Sequence, residues 1–372
     1  MLEQTAQLEE TGAGIQLSPN AARILIGLGL EAPLRAQAVA PNALRVLDAH
    51  TGREIVRMPL AETAAQRYGA PFWVIHRGDL QTALANAVTQ TTDVTLKLGT
   101  RVEDFAAHAD SVTVSARRAS GMDSEEGLAL IGADGLWSST RRRLGHDASP
   151  RFTRRAAWRA LIPAKDVSPE FVKPMVHLWL GPAAHLVHYT VKAGGLINIV
   201  LIMDDTWNAP GWSEPASRAD LLQRISKDDW AAQAFSLISA PENWLKWALY
   251  DLEPVRRWSQ GPVAILGDAA HPMLPYLAQG AALAVEDAAV IAQCLTQRPD
   301  DPTAALRAYE AARWARVRKV QRLAARNGAR YHQSGMQAMV RNLAMRALGG
   351  ARLLHHYDWL YDWRPPAALS LT

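Results

Sequence analysis

The chain has 372 residues, of which 49% are hydrophobic and 20% charged. That length supports one large or two medium-sized domains with a buried core. The formal net charge of +4 is a mild excess and does not indicate a nucleic-acid partner. No stretch approaches the ~20 uncharged apolar residues of a membrane-spanning helix. The only cysteine, Cys294, excludes an internal disulfide framework and a cysteine-rich metal site. These features predict a globular, cytoplasmic protein without membrane or nucleic-acid partners.

The first third of the chain alternates short strands with helices. Ser18-Pro19-Asn20 predicts a turn that opens a helix. Alternating apolar residues on either side of Thr51-Gly52 predict a β-hairpin. A strand over 72–75 is expected to lead to Arg77 and to a helix over 79–88. A small antiparallel meander is expected next, with strands over 94–98, 102–105, 112–116 and 128–131 and its last turn at 121–124.

The middle of the chain has a different pattern. Three strand-like runs with glycine near their ends precede two short helices. This pattern predicts an antiparallel sheet inserted into an α/β framework. A buried strand over 263–266 then precedes a glycine-rich loop, and the region from about 283 to 348 is expected to be mainly helical. The three strands of the inserted sheet are expected over 177–180, 185–191 and 197–203.

The most informative motif follows the buried strand over 263–266. It reads GDAAHP at 267–272 and continues through Pro275 to QGA at 279–281 and EDA at 286–288. Asp268 would stand at the carboxyl end of its strand, where ligands bind in open α/β sheets, and its carboxylate would suit a polyol. The residues around Gly280 would present free amides at a helix N-terminus, which stabilises negative charge. A connection in which Asp268 only caps the turn is the alternative.

This run resembles the second flavin-contacting motif of the FAD-dependent aromatic-ring monooxygenases. That group contains the salicylate, p-hydroxybenzoate and 6-hydroxynicotinate hydroxylases. The run LAQGAA at 277–282 is most similar to the salicylate and hydroxynicotinate branch. The resemblance extends from Glu3 to Trp363, nearly the whole chain. It implies that the cofactor is contacted by Gly267, Asp268, Pro275, Gln279, Gly280 and Ala281.

A second motif, GADG at 132–135, is expected after the last meander strand and before a short helix. It resembles the family's Asp-Gly motif, which is associated with the FAD pyrophosphate and with NAD(P)H. Asp134 would hold the loop or bind a ribose, and Gly135 would allow a ligand to approach the backbone closely. A capped turn uses the same residue types, so the motif is informative mainly through its position in the chain.

Two further residues match cofactor contacts of the family. Glu3, which precedes GAGI at 12–15, matches the acidic residue that binds the adenosine ribose at the end of the second strand. Arg77 matches an arginine that reaches the ribityl-phosphate region of the flavin. Without the resemblance, Glu3 would be a solvated side chain and Arg77 a surface arginine at a helix start.

The family's first structural unit is not found before Glu3. Family members begin with a strand, a Gly-x-Gly-x-x-Gly turn and a helix, and that turn supplies backbone donors for the pyrophosphate. We therefore expect an exposed apolar sheet edge and weak FAD binding. Two explanations are open. Met1 is an incorrectly assigned start, which is the preferred explanation, or the chain is truly truncated.

The inserted sheet is expected to cover the flavin ring and to carry the substrate contacts. His185 and Tyr189 are four residues apart, so a strand places both on one face. They resemble the His-x-x-x-Tyr pair of the hydroxynicotinate branch, in which both residues contact the substrate. A side chain that accepts the phenol proton would promote attack on an electrophilic oxygen. The alternative is that both residues only pack in the sheet. Gln16 is a further pocket candidate.

Two groups of side chains receive other interpretations. His185, His188, His355 and His356 could suggest a metal site, but acidic and cysteine partners are not near them in sequence, so they are interpreted as structural and no metal is expected. Arginines cluster at 141–143, 154–155 and 313–330. Solvated helix faces are the expectation for most of these, and the alternative is a positive field that attracts anionic substrates and NAD(P)H.

We therefore expect an α/β protein, an FAD/NAD(P)-binding dinucleotide fold with an inserted antiparallel β-sheet substrate domain and a helical C-terminal region. The FAD-binding domain is expected to span 1–153 and 253–298, with the substrate domain at 154–252 and the helical region at 299–372. The resemblance implies an FAD-dependent monooxygenase that uses NAD(P)H and O2 to hydroxylate a small phenolic or carboxylated aromatic molecule.

Several alternatives to this function and assembly are open. One is a flavin epoxidase, oxidase or decarboxylating hydroxylase of the same fold. Another is a non-catalytic remnant that binds an aromatic ligand or a partner protein. The tryptophan-rich segment 357–363 is expected to serve in packing or in a homodimer contact.

Overall fold

The computed structural model describes residues 1–8, 13–209 and 213–366, so Gly12 of the GAGI run lies outside the described residues. The strands of the described part are β1 Gly14–Leu17, β2 Ala43–Asp48, β3 Glu54–Pro59, β4 Trp73–His76, β5 Arg101–Ala107, β6 Val112–Arg118, β7 Gly121–Gly127, β8 Leu130–Gly132, β9 Arg151–Pro163, β10 Met175–Gly181, β11 Ala184–Val191, β12 Leu196–Asp204, β13 Glu214–Ser217, β14 Asn243–Asp251, β15 Ser259–Gln260 and β16 Val263–Ile265. Its α-helices are α1 Pro19–Gly27, α2 Glu31–Gln37, α3 Ala61–Tyr68, α4 Arg77–Gln90, α5 Ser139–Arg143, α6 Arg218–Leu222, α7 Ala232–Ser239, α8 Gly280–Gln297, α9 Pro302–Tyr331, α10 Gly335–His355 and α11 Asp358–Tyr361.

The largest sheet has eight strands in the order β13-β14-β9-β12-β11-β10-β2-β3. Its middle strands β9 to β12 are antiparallel, and β10 pairs in parallel with β2. One face of the sheet packs against α6 and α7 through apolar residues such as Trp158, Leu201 and Leu237. Because side chains alternate along a strand, His185, Val187 and Tyr189 lie together on the opposite face. The strands predicted at 177–180, 185–191 and 197–203 are confirmed.

The predicted hairpin is formed by β2 and β3. It pairs through β2 with β10, so the large sheet takes two strands from outside the segment 154–252. Helix α10 packs across β3, where a Cβ added at Gly350 would lie 1.7 Å from the carbonyl oxygen of Arg57. Only glycine permits this approach of the two backbones.

A smaller sheet carries the two predicted cofactor motifs. β8 and β16 pair in parallel, with Leu130 beside Val263 and Gly132 beside Ile265. Strand β15 completes this three-stranded sheet. Because both parallel strands end at the same edge, the loops after them begin side by side. The predicted α/β class is confirmed, and α9 to α11 form the predicted helical C-terminal region.

The predicted meander is present but two of its strands were assigned wrongly. It consists of β5, β6 and β7. The segment 94–98 forms only an isolated parallel bridge between Leu2 and Lys97. The tight turn falls at 119–120, before the expected position, so the polar segment Gly121–Gly127 becomes the third strand. The expected last strand is instead β8, whose apolar residues pair with β16.

None of the helices in the described part of the chain combines the length and apolarity that a bilayer-spanning helix requires.

Candidate active site

The loops that follow β8 and β16 are joined directly. The amide of Leu266 donates a hydrogen bond to the carbonyl of Gly132 at 3.0 Å. Arg141, which is 2% exposed, donates to the carbonyl oxygens of Ala269 at 2.9 Å and Leu136 at 2.5 Å. This guanidinium ties the loop that contains Asp134 to the loop that contains Asp268. The two predicted motifs therefore occupy the same edge of the sheet.

The carboxylate of Asp268 lies beside the start of α8, and we call the surface around Asp268 and Gly280 the recess. The Asp268 side chain is accessible, yet the surrounding protein desolvates it enough to raise its pKa, against the opposing positive charges of His271 and Arg77. No hydrogen bond from a described residue reaches this carboxylate, which leaves it as an acceptor for hydroxyl donors. The positive charge of Arg77, a predicted cofactor residue, therefore acts on the Asp268 carboxylate.

Helix α8 begins against the same recess. A Cβ added at Gly280 would lie 3.9 Å from Oδ1 of Asp268. The first amides of a helix, here those of Gly280 and Ala281, have no partner within the helix and form its positive end. Gln279 precedes them, and its side chain is buried, donating to Ser18 Oγ at 2.9 Å and accepting from Asn20 at 3.2 Å. The Gln279 side chain therefore joins α1 to α8.

A buried ionic cluster fixes the loop after β16. Asp287 accepts hydrogen bonds from the Gly267 amide at 3.0 Å, His271 at 2.5 Å and Arg313 at 2.7 Å. Burial alone would raise the pKa of Asp287, but His271 and Arg313 outweigh it and lower the pKa. Glu286 pairs with Arg313 at 2.7 Å. Arg313 is fully buried, which corrects its assignment to a solvated helix face.

Asp134 holds its own loop. Its carboxylate accepts hydrogen bonds from Ser138 and from the amide and hydroxyl of Thr140 at 2.9 and 3.0 Å. Burial would raise the pKa of Asp134, but these hydrogen bonds outweigh it and keep the pKa below its ordinary value. Gly135 has a φ of +73°, a conformation that favours glycine. Of the two roles considered for Asp134, loop holding is observed.

Glu3 lies in the first described segment of the chain, residues 1–8. Its amide donates to the Lys97 carbonyl at 3.0 Å, and its carboxylate accepts from the amide and hydroxyl of Thr5 at 2.8 and 3.0 Å. No contact among the described residues joins Glu3 to the Asp134 or Asp268 loops. Its role as a ribose ligand stays a prediction.

A cavity of about 100 Å³ lies between the large sheet and the loop after β16. His185 and Val187 of β11 form part of one wall, and Pro275 lies in the loop that forms another. Gln16 also lines the cavity, as predicted. Tyr331 and Tyr357, which are contributed by the C-terminal helices and the turn between them, complete the lining. These two tyrosines were missed because nothing in the local sequence links them to the sheet.

His185 is paired with a second histidine. Its Nδ1 lies 2.7 Å from Nε2 of His332, the residue directly after α9. Burial, with positive charge on His332 and Arg155, holds the pKa of His185 well below its ordinary value. Burial also lowers the pKa of His332, to about 4. Both rings are therefore neutral at pH 7, and His185 Nε2 has no hydrogen-bond partner among the described residues. His332 was not identified from the sequence.

Tyr189 lies on the predicted face but away from this cavity. Its ring packs against Gly14, where an added Cβ would lie 2.6 Å from Cε2 of Tyr189. Asn198, opposite Tyr189 on β12, accepts a hydrogen bond from the Gly14 amide at 2.7 Å. Burial raises the pKa of the Tyr189 phenol, so that this side chain stays neutral. The structure brings Tyr189 to β1, and its substrate contact stays a prediction.

Comparison with known proteins identifies the family. A family model described as an FAD binding domain matches residues 1–324. The chain is 35% identical over 362 residues to 3-hydroxybenzoate 6-hydroxylase 1 of Aquipseudomonas alcaligenes, which covers 97% of this chain and 90% of that protein. It is 37% identical over 363 residues to 3-amino-4-hydroxybenzoate 2-monooxygenase PtmB3 of Streptomyces platensis, with 97% and 89% covered. A solved salicylate hydroxylase substrate complex matches with a TM-score of 0.80 at 26% identity, over 96% of this chain and 90% of that one.

The fold and the two joined loops define a flavin-dependent oxidoreductase. The chain belongs to the FAD binding domain family. It is an FAD-dependent aromatic monooxygenase that uses NAD(P)H, and the predicted class, fold and cofactor are confirmed.

The recess fits the flavin end of FAD. Asp268 offers an unpartnered acceptor of the kind that binds the hydroxyls of a ribityl chain. The free amides of Gly280 and Ala281 lie beside it and would stabilise negative charge on a ring edge. These two features are adjacent because α8 begins against Asp268.

Proposed function

We propose that this chain hydroxylates a phenolic aromatic acid in the cavity beside His185. When bound, FAD supplies the redox chemistry that activates O2 with electrons from NAD(P)H. The observation that carries the proposal is the neutral His185–His332 pair at the edge of an otherwise largely apolar and aromatic cavity. The three relatives described above act, by their names, on hydroxylated benzoates, which are phenolic acids.

His185 removes the phenol proton in this proposal. Nε2 of His185 takes the proton from the substrate hydroxyl, while the proton on Nδ1 passes to Nε2 of His332. The products are a phenolate and a protonated His332, whose charge burial and Arg155 oppose and the carboxylate of Asp204 favours. An ionised phenol is the more electron-rich ring and therefore the better acceptor of an electrophilic oxygen.

The cavity walls support the same chemistry. Its volume of about 100 Å³ is somewhat smaller than the ~150 Å³ cavity known to hold benzene, so one aromatic ring fits after modest side-chain movement. Leu178, Val187 and Phe72 supply apolar surface that excludes water from the reacting atoms. Pro275, in the loop after β16 that also carries Asp268, lines the cavity. The substrate cavity and the cofactor recess are therefore neighbours.

The cofactor residues take separate roles. Asp268 binds the ribityl hydroxyls, and the amides of Gly280 and Ala281 stabilise the flavin ring. Gly267 and Gln279 position that loop and helix, while Arg77 binds the ribityl-phosphate region. Asp134 and Gly135 shape the neighbouring loop for the pyrophosphate and NAD(P)H, and Glu3 binds the adenosine ribose.

The test is a turnover assay with the purified chain, FAD, and NADH or NADPH. Mono-hydroxybenzoates and hydroxynicotinates are offered as substrates, and the measurements are O2 consumption and product mass. We expect a product one oxygen atom heavier. His185→Gln is expected to lower kcat by about 10²–10⁴-fold, the usual contribution of a general base.

A nitro-substituted phenol is the matched control for the role of His185. At pH 8 its hydroxyl is already largely ionised whereas that of the parent phenol is not, so His185→Gln should impair its turnover far less at that pH. Equal losses for both substrates would contradict the proton-transfer role. A folded chain that shows no oxidation of NAD(P)H with FAD present would contradict the activity and favour a non-catalytic remnant.

We also propose that the chain is a cytoplasmic homodimer. Helix α10 exposes Met336, Met339, Val340 and Leu343, each 59–76% exposed and spaced as one helical face. Apolar stripes of this kind commonly mark contact surfaces. Cys294 is buried and unpaired, which suits a reducing compartment. Light scattering should report a dimer that Leu343→Glu weakens, and a monomeric wild type would contradict the assembly.

A further inference from the structure

A second, larger cavity lies on the outer side of the C-terminal helices. This groove encloses about 420 Å³ between α9 and the segment that joins α10 to α11. That volume falls within the range of small-molecule sites. Tyr357 lines both this groove and the cavity beside His185.

One wall of the groove is a row of cations. Lys319, Arg322, Arg326 and Arg330 are exposed and lie three or four residues apart along α9. Like charges at this spacing destabilise a helix by ~0.2–0.5 kcal/mol per pair. The sequence contains no aspartate or glutamate between Glu310 and Asp358. No described carboxylate forms an ion pair with any of the four side chains, so their charge is available to an anion.

The floor of the groove is apolar and aromatic. Leu323, Leu353 and Trp359 contribute to it. The Lys319 ammonium lies 3.7 Å from the centre of the Trp359 ring, so cation and aromatic surface are immediate neighbours. A ligand that matches both features carries a flat apolar ring and a negative charge, as an aromatic carboxylate does.

Asn327 links the groove to the loop that lines the cavity beside His185. Asn327, which is 4% exposed, donates a hydrogen bond to the carbonyl oxygen of Tyr276 at 3.4 Å. Asn327 and Tyr357 both line the groove. The groove therefore borders the residue that contacts the loop after β16, and it shares Tyr357 with the cavity beside His185.

We propose that this groove is a binding site for aromatic carboxylates, which it captures before they pass Tyr357 into the His185 cavity. The destination of the ligand rests on the proposed function, whereas the capture step does not. The arginines select the charge, and Trp359 with the leucines selects the ring. A positive surface at this position also raises the rate at which anionic molecules are collected.

The test measures binding without turnover. Isothermal titration calorimetry of the full chain, without NAD(P)H, compares 3-hydroxybenzoate with the neutral 3-hydroxybenzamide. We expect the carboxylate to bind more tightly at low salt, with an affinity that falls as salt rises. The double variant Arg322→Gln/Arg326→Gln should weaken carboxylate binding about tenfold or more and leave amide binding unchanged.

The matched control is Arg307→Gln/Arg346→Gln, which removes two exposed arginines outside the groove. It should leave carboxylate binding unchanged. Equal loss in both double variants, or equal binding of carboxylate and amide by the wild type, overturns the proposal. The proposal also fails if the groove variant changes binding of inorganic phosphate or anionic lipid vesicles but not of 3-hydroxybenzoate.

Outcomes for the groove and for the enzyme are separable. Carboxylate binding that depends on Arg322 and Arg326, without any hydroxylated product, supports the groove and counts against the proposed function. A hydroxylated product whose KM does not change in the double variant supports the function and overturns the capture role.

Discussion

The proposed cofactor recess and the proposed substrate cavity are neighbours that are built in different ways. The recess is shaped by two loops, each following its own strand, and a buried ionic cluster around Asp287 holds one of them. The cavity is assembled from the large sheet, one loop and the C-terminal helices, and aliphatic and aromatic side chains dominate its lining. Ionic contacts therefore hold the recess, for which FAD is the proposed ligand. Side-chain packing shapes the cavity, for which an aromatic substrate is proposed, and the substrates named for the relatives differ.

The largest expected effect concerns the ionic cluster. Asp287→Ala leaves Arg313 and His271 buried without their shared carboxylate, and breaking a buried pair costs about 3–5 kcal/mol of unfolding free energy. Chemical denaturation measures this loss. The exposed Asp300→Ala variant is the control and should change stability by less than about 0.5 kcal/mol. A loss for Asp287→Ala as small as that of the control would contradict the role of the cluster.

The second prediction concerns a buried neutral histidine, His177, and the pH dependence that it gives to the free energy of unfolding. Burial, with the nearby Arg45 guanidinium, lowers the pKa of His177 to about 4. Below pH 6.5 the unfolded chain binds a proton that the folded chain does not, so the stabilisation is complete above pH 6.5 and is lost as pH falls towards 4. His177→Gln should make the decline shallower by about 1.4 kcal/mol per pH unit.

Denaturant titrations at several pH values between 4 and 7 measure that decline. His108→Gln, at an exposed histidine, controls for the general loss of one imidazole. An unchanged pH dependence in His177→Gln would show that other groups carry the acid sensitivity.

The smallest expected effect lies where β1 meets the large sheet. Gly14→Ala would bring a methyl group within 2.6 Å of the Tyr189 ring, and overpacking of this kind costs about 1–3 kcal/mol. The loss should be smaller when Gly14→Ala is combined with Tyr189→Leu, because the smaller side chain leaves room. Additive losses in this double-mutant cycle would contradict direct contact between β1 and the sheet.

Site residues in short, contiguous motifs could be predicted from the sequence, whereas contacts between residues far apart in the chain could not. The positions of Asp134 and Asp268 at one sheet edge could be predicted because each lies in a short motif directly after a strand. His332 and Tyr357 were missed because His332 lies 147 residues from His185 and no local pattern links them. The burial of Arg313 was missed because its partners, Glu286 and Asp287, lie on another helix.

The register of the meander depended on turn chemistry that the sequence left ambiguous. Gly121 was read as part of a turn, but the turn is formed by the two residues before it and Gly121 opens a strand. The central strands β10 to β12 were predicted because their apolar runs are bounded by glycine. Local signals thus placed the elements, while long-range packing decided which side chains meet.

The role of Asp268 is tested most directly by equilibrium binding of FAD to the purified chain, followed by quenching of flavin fluorescence. The wild type is expected to bind FAD saturably. Asp268→Ala should bind it about 10–100-fold more weakly, the effect of losing hydrogen bonds to a charged acceptor. Asp300→Ala should bind as the wild type does. Equal affinity of Asp268→Ala and wild type, or no saturable binding by the wild type, would contradict the flavin recess described here.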